Sequence, residues 1–531
     1  MNIREKIEAG QTALGIEFGS TRIKGVLTDY DGNVIAIGTH DWENKLIDGV
    51  WTYDLEDVDA GMADCYASLC RNVEEKYGVK IETLGALGVS AMMHGYVALD
   101  KDDKQIARFQ TWRNTNTETA ADELTELFDF NIPLRWTVAH LYQRILDREE
   151  HVKDLAFVST LAGYMHYKLS GEKVIGAGDA AGMFPIDSET NDYYVDMVEK
   201  FDKLVEPYGY SWKLRDLFSK VLVAGDLAGH LTEEGAKLLD PTGTLKAGIP
   251  MCPPEGDAGT GMVATNSVAP RTGNVSAGTS TFAMLVLEKA LSKLYREIDM
   301  VTTPTGFPVA MSHANNGTSD LNAWVALFGE FYELMGQKAN MGELFQKLYT
   351  KSLEGDAECG GLLAYGYYSG ENITFINEGR PLFARTPNSK FNLANFMKVN
   401  LYTSFGAVKM GLDILIKDEG VICEKLYGHG GIFKTEGVAQ RYLSAAVNAP
   451  VTVMSTASEG GAWGIALLAA YLADGKRDGK LEDYLNNRIF KDLQGSTIRA
   501  TQEEVDGFEV FTDRYRQCLD VERAAIAGID W

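Results

Sequence analysis

GIEFGSTRIKGVLTDYDGNVIA, residues 15 to 36, reads as an apolar strand, a Gly-Ser-Thr turn and a second apolar strand, and a stretch of the same design, GNVSAGTSTFAML, returns at residues 273 to 285. Glycine and small hydroxylated residues at a hairpin tip let backbone N–H groups converge on an anion without bulky side chains in the way. Gly19, Ser20 and Thr21 form the first tip, with Arg22 and Lys24 close enough in sequence to add a cation; Gly278, Thr279 and Ser280 form the second. Either turn alone is a common hairpin. The pair, one in each half of the chain, predicts a nucleotide held between two related domains.

Outward from these hairpins the pattern is α/β. TALGIEF, KGVLTDY and VIAIGTHDW read as strands, a helix is predicted near 55 to 77, and LGALGVS is a further strand. Residues 101 to 225 are rich in helical stretches and are expected to elaborate the border of a substrate cleft. The apolar pattern stops at NSVAPRTGN, placing a boundary near 262 to 270. In the second half, Met397, Leu401, Phe405, Val408, Leu412 and Leu415 recur at steps of three or four and predict one long core helix. KLYGHGG is a strand running into a glycine turn and the helical VAQRYLSAAVN, a usual setting for a nucleotide at a helix start. VTVM is another strand, and GIALLAAYLA is a buried helix. No G-x-x-x-x-G-K-[ST] is present, and no G-x-G-x-x-G follows a strand, which argues against P-loop and Rossmann sites.

Composition narrows the function classes. The 531 residues suit two large domains or three ordinary ones, and 45% apolar with 24% charged residues is ordinary for a globular chain. A formal charge of −25 argues against nucleic acid as a partner. The longest apolar run is about half of the roughly 20 residues that span a bilayer, and the N-terminus lacks an apolar signal region, so a cytoplasmic protein without a membrane partner is expected. Six cysteines without a C-x-x-C pair suit reduced thiols.

Four further segments follow the first hairpin: SAMMHGYVALD (90 to 100), QTWRN (110 to 114), PPEGDAGTGMV (253 to 263) and GHGGIFKTEGVAQRYLS (428 to 444). With the two hairpins, their order resembles that of the FGGY carbohydrate kinases, over nearly the whole chain to about residue 470, and Met93-His94-Gly95 resembles the xylulokinase branch. The resemblance implies two actin- and Hsp70-like (ribonuclease H-like) ATPase domains flanking a cleft, at 1–265 and 266–531. It implies ATP and Mg²⁺ as cofactors and a small sugar, a ketose such as xylulose, as substrate. Gluconate or ribulose as acceptor, or a low-activity sugar- or nucleotide-binding regulator on the same fold, are the alternatives. Kinases of this resemblance often form dimers, so a homodimer is an expectation to which no surface is assigned.

The resemblance also distributes roles. Asp257, flanked by glycine and alanine, takes the place of the catalytic base and of a sugar and Mg²⁺ contact; taken alone, it would read as a turn aspartate bonding its own backbone. Glu17 stands where the family usually has an aspartate near Mg²⁺ and the phosphates, one methylene shorter. Met93, His94 and Gly95 fall on the sugar element; Trp112, Arg113 and Asn114 match a Trp-Asn-Asp platform in which only the tryptophan is kept. Arg113 would suit an acid sugar. Gly19, Ser20, Thr21, Lys24, Gly278, Thr279 and Ser280 are assigned to phosphates; Gly428, Gly430, Gly431 and Gln440, with Glu459, Gly460 and Gly461, match the adenosine loops. His313, His429 and Trp51 read as packed core residues. EGRPLFARTPNSKFNLANF (378 to 396) lacks the Phe-Gly-Gly-Tyr-like signature, marking a divergent subgroup.

Overall fold

The first hairpin forms as read. β1 (Ala13–Phe18) pairs antiparallel with β2 (Arg22–Thr28), and Glu17 lies directly opposite Lys24. β3 (Val34–Asp41) extends the sheet beyond β2, while β4 (Ala86–Ala91) and β5 (Glu255–Gly256) add in parallel on the other side, giving the order β5-β4-β1-β2-β3. The structure, a computed structural model, describes residues 1–454, 460–492 and 495–529.

The second sheet repeats the plan. β6 (Thr272–Ala277) and β7 (Thr281–Val286) are the second hairpin; β8 (Ile298–Thr302), β9 (Pro308–Ala314), β10 (Lys425–His429), β11 (Val451–Met454) and β12 (Gly495–Ile498) complete the order β8-β9-β7-β6-β10-β11-β12. Without the edge strands β8 and β12, the order β9-β7-β6-β10-β11 reproduces the first sheet, with the same antiparallel and parallel pairings. Two copies of one sheet plan are the structural form of the sequence repeat.

The helices follow from their apolar stripes. α1 (Leu55–Tyr77) buries Leu55, Val58, Met62, Leu69 and Val73 against β3 and ends at Gly78 in the left-handed conformation. α3 (Leu393–Asp413) is capped by the Asn392 side chain and buries Met397, Leu401, Phe405, Val408 and Leu412; Leu415 lies in the wider turn, Ile414–Asp418, that follows. α3 is enclosed on its other faces too. Its buried Lys409 donates hydrogen bonds to the carboxylates of Asp413 and Glu509, which compensate the charge.

Two helices pack on each other against the first sheet: α2 (Asp257–Ala264), directly after β5, and α5 (Gly460–Ala473). They touch so closely that a Cβ on Gly464 would lie 2.0 Å from the Thr260 carbonyl oxygen. α5 also covers β1 and β4 of the first sheet, and its Trp463 donates to the Gly32 carbonyl at 2.9 Å. Leu485, Ile489 and Phe490 join the same core. The stretch 460–490, C-terminal in sequence, therefore packs on the N-terminal sheet, and the two halves are interlocked rather than strung in series. Among the described residues no helix is long and apolar enough to cross a membrane, and the six cysteines are free.

Candidate active site

The site assembles where β1, β4 and β5 end and α2 begins. Asp257 is the first residue of α2, facing open space although it lies deep among β4, β5 and residues 176–182. Its Oδ1 accepts from the Met93 amide at 3.2 Å, which ties it to the segment leaving β4. Burial raises its carboxyl above the ordinary carboxylate range, against the pull of its backbone hydrogen bonds and of Arg135.

Glu17 closes one side. Its Oε2 accepts from the Ala462 amide at 3.0 Å, at the start of α5, and a Cβ on Gly461 would sit 2.3 Å from its Oε1. The longer acid thus fits because residue 461 is glycine. Burial, reinforced by the negative charge of Asp257, pushes the Glu17 carboxyl up to about 7, with Ala462 and Lys24 opposing. Two acids that resist ionising together make a place where a cation would relieve the repulsion; Mg²⁺ is commonly held by one or two carboxylates plus substrate phosphates. The residues present fit that ion, although the described residues contain no cluster of three or more His, Cys, Asp or Glu poised for a metal.

Both hairpin tips are braced through their carbonyls. Trp42 donates its indole N–H to the Gly19 carbonyl at 2.7 Å and its amide to that of Thr21, Tyr53 donates to Ser20 at 2.5 Å, and the two rings stack at 4.1 Å. At the second tip the amide and hydroxyl of Thr318 donate to the Gly278 carbonyl, and the Gly317 amide donates to that of Thr279. With the carbonyls turned away, the amides of Ser20, Thr21, Thr279 and Ser280 have no acceptor among the described residues. Such paired N–H groups suit phosphate oxygens. Lys24, on the same face as Glu17, lies beside the first tip.

His94 and Gly95 both take left-handed backbone, with φ of 70° and 90°. The Gly95 amide donates to the Arg135 carbonyl, and the Thr137 hydroxyl donates to the Gly95 carbonyl at 2.7 Å. His94 Nδ1 lies 3.2 Å from the Gly182 carbonyl, so this nitrogen carries the proton and Nε2 is an acceptor. Burial, then the charge of Arg135, holds the ring well below the usual histidine range, so it is neutral near pH 7. Trp112 is 40% exposed and donates its indole N–H to Ser20 Oγ at 3.3 Å, joining the aromatic platform to the first tip. Arg113 stacks over Trp51 at 3.6 Å.

Two assignments change. Asn114 is not available to a sugar: its Oδ1 accepts from the Trp51 amide and its Nδ2 donates to the carbonyls of Trp51 and Thr111, so the buried amide is spent on holding this loop. Gln440 is likewise buried and committed. Its Nε2 donates to Val451 and Ser496, and its Oε1 accepts from the Ser496 hydroxyl, tying α4 (Val438–Val447) to β11 and β12. Gly430, at φ 110°, approaches the end of β6 so closely that a Cβ would meet the Ala277 carbonyl oxygen at 2.2 Å, which brings its loop beside the second tip; Gly431 faces open space. Glu459 lies outside the described residues. His313 and His429 are packed, each held by burial below the usual range, His313 down to about 4.

Three charged residues escaped the reading of the sequence. Asp179 is buried behind Asp257, accepts from the Thr160 hydroxyl at 2.6 Å, and is pushed up to about 7 by burial. Glu255 is also buried; burial and then Asp179 favour its neutral acid. Arg135 pairs with Asp299 of β8 at 2.5 Å, with Asn131 donating to the same carboxylate. GDAAG at 178 to 182 and EGD at 255 to 257 were the available signals, each an acid amid small residues.

Residues 12–263 match the N-terminal domain, and residues 273–473 the C-terminal domain, of the FGGY family of carbohydrate kinases. The chain belongs to this family. Among curated FGGY relatives, autoinducer-2 kinase from Salmonella typhimurium is 22% identical over 290 residues, covering 51% of this chain and 50% of that protein. The match thus spans about half the length of such relatives. Among solved structures, a xylulose kinase from Lactobacillus acidophilus superposes with a TM-score of 0.77 at 15% identity, covering 97% of this chain and 99% of that one. A gluconate kinase from the same organism gives 0.76 at 14% identity, covering 97% and 98%. At these identities the FGGY fold is what is shared.

Proposed function

We propose that this protein transfers a phosphoryl group from ATP to a hydroxyl of a small ketose such as xylulose, with 1–265 and 266–531 as its two kinase domains. The observation that carries the reading is the position of Asp257: an accessible carboxylate at a helix start, held by the Met93 amide next to His94 and close enough to Glu17 of the first hairpin to raise its proton affinity. Its raised affinity for protons suits a general base, whose best range lies near the working pH. In the proposed reaction Asp257 accepts the proton of the attacking hydroxyl. Ser20, Thr21, Thr279 and Ser280 amides, with Lys24, orient the phosphates, and the loop of Gly430 and Gly431 receives the adenosine. His94 Nε2 accepts from a sugar hydroxyl, and Trp112 offers an apolar face. Glu17 and Asp257 would hold Mg²⁺, which when bound neutralises phosphate charge. Closure of the cleft would exclude water. The expected setting is the cytoplasm, where ATP is abundant.

An aldonic acid such as gluconate is the second reading of the acceptor: the positive charge of Arg135 reaches His94, although its guanidinium already pairs with Asp299, and Arg113 is the other guanidinium near the sugar element. ADP release measured with Mg-ATP across ketopentoses, pentitols, hexoses and aldonic acids separates the two. Turnover with one class, lost in Asp257→Asn, supports the kinase and names its acceptor; sugar or ATP binding without stimulated turnover by any compound supports a regulator instead.

A further inference from the structure

Away from the cleft, the insertion between β4 and β5 carries a cavity of about 410 Å³ whose walls include Arg148, Glu149, Glu150, Lys153, Tyr208 and Tyr210. That volume is within the range of small-molecule sites. One wall is a ladder of parallel rings: Tyr208 on Tyr210 at 6.0 Å and Tyr210 on Trp212 at 5.0 Å, with interplanar angles of 7° and 8°. Trp212 is buried at its foot and donates to the Val152 carbonyl at 2.8 Å. The ladder gives the cavity a rigid aromatic wall with phenolic hydroxyls.

The cations are placed with some cost. Arg148 follows the helix Thr137–Leu146 with φ 56°, left-handed backbone where glycine is the preferred residue, and its guanidinium stands over Tyr208 at 5.5 Å. Neither Arg148 nor Lys153 has an ion-pair partner among the described residues, in a chain whose formal charge is −25. Of the acids in the wall, Glu149 is engaged by Arg144 at 2.7 Å and His151 at 3.2 Å, which leaves Glu150 as the opposing charge. The engaged acid leads inward: His151 Nε2 meets the Tyr96 hydroxyl at 3.0 Å, and Tyr96 adjoins His94 and Gly95.

From this arrangement we infer that the cavity is a regulatory site for a small phosphate ester, its phosphate taken by Arg148 and Lys153 and its organic part lying along the Tyr208–Tyr210 wall. Occupancy would bear on the sugar element through Glu149, His151 and Tyr96; that part rests on the proposed kinase reading, whereas binding itself does not. The probes are ribose 5-phosphate, AMP and neutral ribose, followed by calorimetry and by Trp212 emission with Trp212→Phe as the blank. The variants are Arg148→Gly, which suits the left-handed backbone and so preserves the fold, and Lys153→Ala. The expected result is binding of a phosphate ester but not of ribose, weakened at least 10-fold in each variant, with a change in the KM of the sugar in wild type that Arg148→Gly lacks. Binding that survives both variants, or absence of binding by either ester, would overturn the site. Binding lost in the variants with an unchanged KM would overturn its regulatory role, and absence of any kinase turnover would leave the calorimetric result to stand for the site alone.

Discussion

Replacing Glu17 by glutamine should make the metal-free protein more stable at alkaline pH and leave it unchanged near pH 4.5. In the folded chain burial and the Asp257 charge push this carboxyl up to about 7, from an ordinary 4.5. The folded state therefore binds the proton more tightly than the unfolded state. Stability contributed by the protonated acid is greatest below pH 4.5, falls as pH rises from 4.5 to 7, and is fully lost above. The difference between about 7 and 4.5 is worth roughly 3 kcal/mol at 1.36 kcal/mol per pH unit. The glutamine of Glu17→Gln would keep the Ala462 hydrogen bond through its amide oxygen without ever carrying the charge. For a 531-residue chain unfolding as one unit, an unfolding entropy of about 2.1 cal/mol/K per residue makes 1 kcal/mol worth about 1 °C. Scanning calorimetry in EDTA should thus place the Tm of the variant about 3 °C above wild type at pH 8 and level with it near pH 4.5. A difference that does not grow with pH, or that has the opposite sign, would refute the description of Glu17 as a buried acid repelled by Asp257. Added Mg²⁺, if held by these two acids, should shrink the gap by stabilising wild type alone.

Asp257→Asn should retain the fold and ATP binding but lose about 10²–10⁴-fold in kcat, the usual contribution of a general base; calorimetry with a non-hydrolysable ATP analogue beside the turnover assay checks both halves. Gly461→Ala brings a methyl group to 2.3 Å from Glu17 Oε1, and overpacking of this kind costs about 1–3 kcal/mol. Combining it with Glu17→Asp, which withdraws the carboxylate, should recover part of that loss in a double-mutant cycle; strict additivity would contradict the contact. Asn114→Ala strips three hydrogen bonds from the Trp51 and Thr111 backbone and should lower stability by about 1–3 kcal/mol, seen as a lower urea midpoint. His94 is held neutral near pH 7, so the acid limb of kcat/KM should survive His94→Asn with its midpoint unmoved, and a shifted limb would reassign the titrating group.

The local elements of this protein were legible because they depend on neighbours in sequence. Alternating apolar residues and glycine turns marked both hairpins, the 55 to 77 helix and the long helix over Leu393–Asp413, and the repeated hairpin announced the repeated sheet. Asp257 could be singled out through the order of motifs that resembles the FGGY kinases, since its loop of small residues by itself reads as an ordinary aspartate turn. Other features depend on residues far apart in the chain. Asn114 looked like a sugar ligand until Trp51 was seen to consume its amide, and Gln440 looked like a nucleotide contact until Val451 and Ser496 did the same. A side chain's hydrogen-bonding capacity says what it can bind, whereas only the folded neighbourhood says what it has already bound. Asp179, Glu255 and Arg135 reach the site from segments separated by 40 residues or more, so no spacing rule could have grouped them. By itself the sequence determined two α/β halves with phosphate-ready hairpins and a candidate base. The tertiary structure decided that α5 crosses onto the first sheet, that Glu17 is accommodated by Gly461, and that the insertion builds a second, cationic aromatic cavity, because each of these rests on contacts between chain segments that sequence order keeps apart.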